Sequence, residues 1–147
     1  MWDGMQAAPA EARADMQWLL RFFNDIMLIQ IRVGIVFPIL ILIALMARKN
    51  DSGLHKRMMF LAIAPALPAA FDRMTWLPHT LPESPLSPDL YTLLAVSPLF
   101  LWDLVRTRSV HKAYWIWLAL MVPSSIVIHS LWGTSWWQEM GPRLVGL

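Results

Sequence analysis

Apolar residues in this chain gather in long runs separated by short polar breaks, instead of alternating singly with polar ones. The run 26–46 carries one charge, Arg32, and the run 58–77 carries only Asp72 and Arg73 near its far end. The runs 90–105 and 113–132 follow, with Asp103 near the end of the first and His129 near the end of the second. About 20 apolar residues suffice for a helix to cross the bilayer core. The pattern therefore predicts an all-α membrane protein: a four-transmembrane-helix bundle with short loops and interfacial N- and C-terminal segments, forming one domain over 1–147. The helices are expected at about 26–46, 58–77, 90–105 and 113–132.

The polar breaks give the bundle a direction. Segment 47–57 holds Arg48, Lys49, Lys56 and Arg57, and segment 106–112 holds Arg106, Arg108 and Lys112. Segment 78–89 has four prolines and no Lys or Arg. Short loops rich in Lys and Arg stay in the cytoplasm. Loops 47–57 and 106–112 are therefore expected to be cytoplasmic, and both termini to lie on the outer, periplasmic side of a cell inner membrane. Trp18, Trp76, Trp132, Trp136 and Trp137 would form an outer aromatic belt, and Trp102, Trp115 and Trp117 an inner one. Segment 78–89 is expected to be extended and to fold back over the bundle end. The first 25 residues lack a basic start and a small-residue cleavage site, so they read as an amphipathic interfacial helix, not a signal peptide. The tail 133–147, with Trp136, Trp137 and Met140, is expected to lie along the interface.

Stretch 54–78 looks like the central post. His55, Met59, Ala62, Ala66, Ala69, Arg73 and Trp76 make a stripe that is small in the middle, which suits close helix packing in lipid. Leu61, Pro65, Pro68 and Asp72 make the adjacent stripe. Each proline lacks an N–H, so the carbonyls of Leu61 and Ala64 are expected to be unpaired and the helix kinked. Both stripes are expected to face protein.

Composition narrows the class. The 147 residues are 57% hydrophobic, with a mean hydropathy of +0.48. The absence of cysteine excludes disulfides and thiolate chemistry. A formal charge of +2, with basic residues clustered only at helix ends, offers no nucleic-acid surface. There is no G-x-S-x-G, no H-E-x-x-H and no glycine-rich phosphate loop. Ser124 and Ser125 near His129 lack an orienting acid nearby in sequence and read as hydroxyls back-bonded to carbonyls.

Two polar clusters follow from the threading. The outer one is Arg32, Asp72, Arg73 and His129, roughly 6–10 Å inside the boundary by helix rise. An ionisable group at that depth finds a partner or a wet cavity. Arg32 with Asp72 is the expected pair, read first as an ion pair locking helices one and two. The functional alternatives are a pocket for an anionic head group or a quinone, or a proton path. The inner cluster is His55, Lys56, Arg57, Asp103, Arg106, Arg108, His111 and Lys112, read first as a cytoplasmic basic rim. Its alternatives are anionic-lipid binding and metal or haem ligation. Only His129 among the four histidines falls well inside a predicted helix, which leaves haem weakly supported.

The run His55-Lys56-Arg57-Met58-Met59-Phe60-Leu61-Ala62, together with Arg73, resembles small four-helix bacterial inner-membrane proteins of unassigned function. Asp103, His111 and the closing Gly133-Thr134-x-x-Trp137 are similar to that group as well. The resemblance implies a fold and a location, and no activity. The expected role is a non-catalytic accessory or scaffold subunit that packs on a larger respiratory or photosynthetic complex or self-associates in the lipid bilayer. The alternatives are a haem- or quinone-binding redox protein and a small transporter or oligomeric channel.

Overall fold

The structure, a computed structural model, describes residues 9–144 and 146. Among them all regular structure is helical. Helix α1 spans Ala10–Ala47, 38 residues, about 57 Å at 1.5 Å per residue. It starts directly after Pro9 and continues past Pro38. The helix runs without a break through 25/26, as an N-terminal helix leading straight into the run 26–46 would. Alanine and unbranched residues over 10–20 favour helix as strongly as the apolar run that follows, so nothing stops the helix between them.

Helix α2 (Ser52–Leu61) follows a four-residue turn. Asp51 caps it, its carboxylate accepting from the Leu54 N–H at 2.8 Å. The cap moves the helix start ahead of the expected 58. The far end is also corrected. Instead of one helix to 77, the chain makes α2, a 3₁₀ turn at Ala64–Ala66 and a four-residue α3 at Pro68–Phe71. Pro65 and Pro68 each fall in the first turn of a new piece, where a missing N–H is harmless. The Ala64 carbonyl, expected to be unpaired, accepts from the Leu67 N–H at 3.1 Å. The buried stripe is Leu54, Met58, Leu61, Ala62, Ala64, Pro65 and Pro68, whereas Met59, Ala66 and Ala69 are exposed. Leu61, Pro65 and Pro68 of the proline stripe thus face protein as expected, whereas Asp72 and most of the small-residue stripe do not.

Residues 72–85 form turns and irregular structure. They are tied to the bundle by Thr80 with Ser87, by the Tyr91 hydroxyl donating to the Pro78 carbonyl, and by the Trp132 indole donating to the Pro82 carbonyl at 2.8 Å. The expected fold-back over the bundle end is observed. Helix α4 spans Leu86–Thr107 and α5 spans Lys112–Leu131, close to the expected third and fourth helices.

Gly133 then adopts a positive φ of 69°, a conformation that glycine reaches without strain. Its N–H donates to Asp25 at 3.1 Å, which turns the chain into α6, Ser135–Leu144. Helix α6 is fastened to α1 through the Trp137 indole on the Asn24 carbonyl, 2.7 Å, and Gln138 on Asp25, 2.9 Å. Asp25 and Arg32 share an α1 face, as their spacing suggests, but serve different neighbours.

The core lies between α1, α2 and α5, where Val36, Leu40, Ala44, Met58, Leu61, Tyr114 and Trp117 are buried together. Among the described residues, three helices are long and apolar enough to cross a membrane: Glu11–Ala47, Leu86–Thr107 and Lys112–Leu131. The segmented stretch 52–71 is not one of them, because its prolines divide it into pieces too short to span the core alone.

Candidate functional site

Polar side chains collect at the two ends of the bundle. The basic end carries the turns 48–51 and 108–111, and the proline end carries 72–85.

At the basic end the buried and half-buried polar groups bond to one another. Arg57 donates to Asp103 through Nε at 2.5 Å and Nη2 at 2.7 Å, a two-pronged contact that matches guanidinium to carboxylate. Arg57 also donates to the Gly53 carbonyl, and the Tyr114 hydroxyl donates to Asp103 at 2.7 Å. Phe100 meets Tyr114 edge to face at 5.2 Å. His55 Nδ1 lies 2.8 Å from the Ala44 carbonyl. Lys112 pairs with Asp51 at 2.8 Å, and that bond together with the Leu54 N–H holds the Asp51 carboxyl below its usual range. Lys56, Arg106 and Arg108 are exposed. This end locks α2, α4 and α5 together.

His111 caps α5, its Nδ1 accepting from the Ala113 N–H at 3.2 Å. Burial, and then the Arg57 charge, push its pKa below the ordinary value. A histidine depressed in the fold stabilises the protein fully above the unfolded value of about 6.5 and loses that contribution as pH falls below it. Stability in detergent is therefore expected to drop between pH 7 and pH 5. His111→Asn, which keeps a capping acceptor, should flatten that drop; an unchanged slope would remove His111 from the account.

The proline end is different. Arg32, with a side chain only 2% exposed, donates through Nη1 to Asp89 at 2.6 Å and to the Ser125 hydroxyl at 3.1 Å. His129 Nε2 lies 3.3 Å from the other Asp89 oxygen. The expected Arg32–Asp72 pair is thus corrected: the partner is Asp89, in the first turn of α4. Asp72 and Arg73 are exposed beside a cavity of about 140 Å³ that also borders Gln30. The irregular backbone after Phe71 carries them away from Arg32. Of the four predicted outer residues, Arg32 and His129 come together and Asp72 and Arg73 do not. Asp89 and Ser125 complete the cluster in their place. Ser124 does back-bond, to the Met121 carbonyl at 2.8 Å, while Ser125 serves Arg32.

The cluster is under-partnered. Arg32 Nε and Nη2 and Asp89 Oδ2 are buried without a hydrogen bond. Asp89, Ser125 and His129 form the polar end of a cavity of about 480 Å³ between α4 and α5. Its walls are apolar and include Leu93, Leu118, Met121 and Val122. Trp117 lies in the same wall, and its indole N–H is also buried without a partner. Among the described residues no three His, Asp or Glu side chains stand close enough to hold a metal ion.

Fold and site together define a helical protein with three helices able by length and composition to cross a membrane, and one apolar cavity that ends in a charged cluster. No known protein family, curated protein or solved structure matches the chain.

Proposed function

We propose that the chain is a small integral membrane protein that binds a membrane-dissolved amphiphile between α4 and α5. The observation that carries this reading is an apolar cavity of about 480 Å³ between α4 and α5 whose polar end is made by Asp89, Ser125 and His129, with buried Arg32 paired to Asp89 behind them. A head group that hydrogen-bonds to Ser125 or His129 gains about 0.5–1.5 kcal/mol per bond while its chain fills the apolar part. Leu93, Val122 and Ile126 in the cavity wall are about half exposed, which would admit a ligand sideways from lipid. At the basic end Arg57, Asp103 and Tyr114 are bonded to one another.

In this reading the three long helices cross an inner membrane, and the proline-broken stretch 52–77 packs as the fourth element. The loops 47–57 and 106–112 are cytoplasmic, and the termini lie outside. The role is binding, not catalysis. The cysteine-free chain makes the test direct. A Val122→Cys protein in native membranes should react with a lipid-soluble maleimide, and excess membrane-lipid extract should protect it. A Leu101→Cys control, exposed on α4 outside the cavity lining, should not be protected. Equal protection at both sites would remove the binding reading. Lys49→Cys should label only from the cytoplasmic side.

The accessory-subunit reading has its own support. Helix α1 is far longer than the ~30 Å bilayer core requires, and its extra turns expose Met16, Trp18, Leu19, Leu20 and Phe23. That apolar end suits a neighbouring membrane subunit. Deleting residues 10–20 should abolish co-migration with a larger complex on native gels; an unchanged mobility would count against it.

A further inference from the structure

One exposed face of the bundle gathers polar groups at membrane depth, on the reading that α1 crosses a membrane. Gln30 lies on α1, one turn inside the apolar run 26–46, and is exposed. It borders the same small cavity as Ala69, Asp72 and Arg73. Asp72 and Arg73 are exposed too, and among the described residues neither forms an ion pair. A carboxamide on a lipid-facing helix has no water to bond and finds its partner across a helix–helix contact. Gly34, one turn further along α1, shares the Gln30 face. A Cβ there would meet nothing within 4 Å, so packing inside the chain does not call for a glycine. Glycine within a helix is destabilising relative to alanine, and what it offers in lipid is the close approach of a second helix. Ala66 and Ala69 are exposed as well, part of the small-residue stripe whose expected protein neighbour is absent within the chain.

The occupant that fits this face is a second copy of the chain. Two copies inserted in the same direction are related by a two-fold axis along the membrane normal, which sets equal residue numbers at equal depth across the contact. Gln30 then meets the partner's Gln30. An amide carries donors and an acceptor, so that pair satisfies itself. Asp72 of each copy meets Arg73 of the other, which gives two contacts between opposite charges. A face of one sign would repel its own copy, whereas this one carries a carboxylate and a guanidinium side by side.

We propose that the chain forms a parallel two-fold dimer through the face of Gln30, Gly34, Ala66, Ala69, Asp72 and Arg73. The face shares no residue with the lining of the α4–α5 cavity, so dimer formation and ligand binding are separable. The test uses the full cysteine-free chain carrying Ala69→Cys, in native membranes, treated with bis-maleimides of graded length. A product of twice the chain mass should form, whereas Leu101→Cys, exposed on α4, should give none. Asp72→Arg or Arg73→Asp, each added to Ala69→Cys, should weaken the dimer about tenfold by setting like charges against like. Coexpressed with different tags, these two charge variants should cross-link to each other and restore the product, which misfolded chains cannot do. Gln30→Leu should weaken the dimer about fivefold. Equal cross-linking at Ala69→Cys and Leu101→Cys would overturn the proposal, as would charge variants that fail to recover on coexpression. A product of another mass would also overturn it and assign the face to a different membrane subunit. Release of the chain by alkaline carbonate would remove the membrane reading and the dimer together; a carbonate-resistant chain that does not cross-link loses the dimer alone.

Discussion

An Asp89→Ala protein is expected to lose about 3–5 kcal/mol of stability, because the change strands the Arg32 guanidinium inside the bundle. The side chain of Arg32 is 2% exposed, and its ionic partner in the fold is Asp89. A buried charge left without its counter-ion keeps the desolvation penalty and loses the attraction that offset it. Asp72→Ala, which touches an exposed carboxylate, should stay within about 0.5 kcal/mol of the parent. Removing both charges together, as Arg32→Met with Asp89→Ala, should recover much of the loss. Chemical unfolding of the purified protein in detergent measures all three. If Asp72→Ala proved as damaging as Asp89→Ala, the pairing described for Arg32 would be wrong.

The second large effect is expected at the opposite end. Asp103 takes two bonds from Arg57 and one from Tyr114, and so ties α2, α4 and α5. Asp103→Ala should cost about 2–3 kcal/mol, the range for hydrogen bonds to charged groups, since Arg57 keeps some access to solvent. Tyr114→Phe should cost about 1 kcal/mol. Arg57→Lys should fall between them, because an ammonium cannot reproduce the two-pronged contact. The same unfolding assay reads these values.

How far the sequence carried the fold depended on the length of each signal. The apolar runs 90–105 and 113–132 are long, and their helices lie within a few residues of the expected bounds. The short-range rules worked where they were applied to the right pieces. Pro65 and Pro68 each remove a backbone N–H, which predicts a kink, whereas in the structure they divide the stretch into three short elements. A proline that starts a new turn relieves the very carbonyls that a kinked helix would leave open, and Ala64 is the instance. At the other terminus, polarity changes at residue 26 between the stretch before it and the apolar run. Helix propensity does not change there, and the helix continues through it.

The outer cluster was half legible. Arg32 and His129 stood out because each is ionisable within an apolar helix. Ser125 carried a visible signal in its four-residue spacing from His129, but it was set aside for lack of an acid nearby in sequence. That acid is Asp89, separated from Arg32 by 57 positions and from Ser125 by 36. In sequence Asp89 follows Pro88 as an ordinary acidic residue in the first turn of a helix. No periodicity places a loop-edge carboxylate against a distant helix. That depended on how the residues 72–85 fold back, which the Thr80–Ser87 and Trp132–Pro82 contacts decide. Asp72, by contrast, was favoured for its position in an apolar run that does not persist as a helix.

The central claim is that the groove between α4 and α5 holds a lipid-soluble ligand by its head at His129 and Asp89. Native mass spectrometry of the gently extracted protein tests it most directly, comparing the parent with His129→Gln. The account predicts a retained adduct on the parent that is released by mild activation as a neutral amphiphile, and its depletion in the variant at equal folded yield. A bare parent, or identical adducts on both proteins, would contradict it.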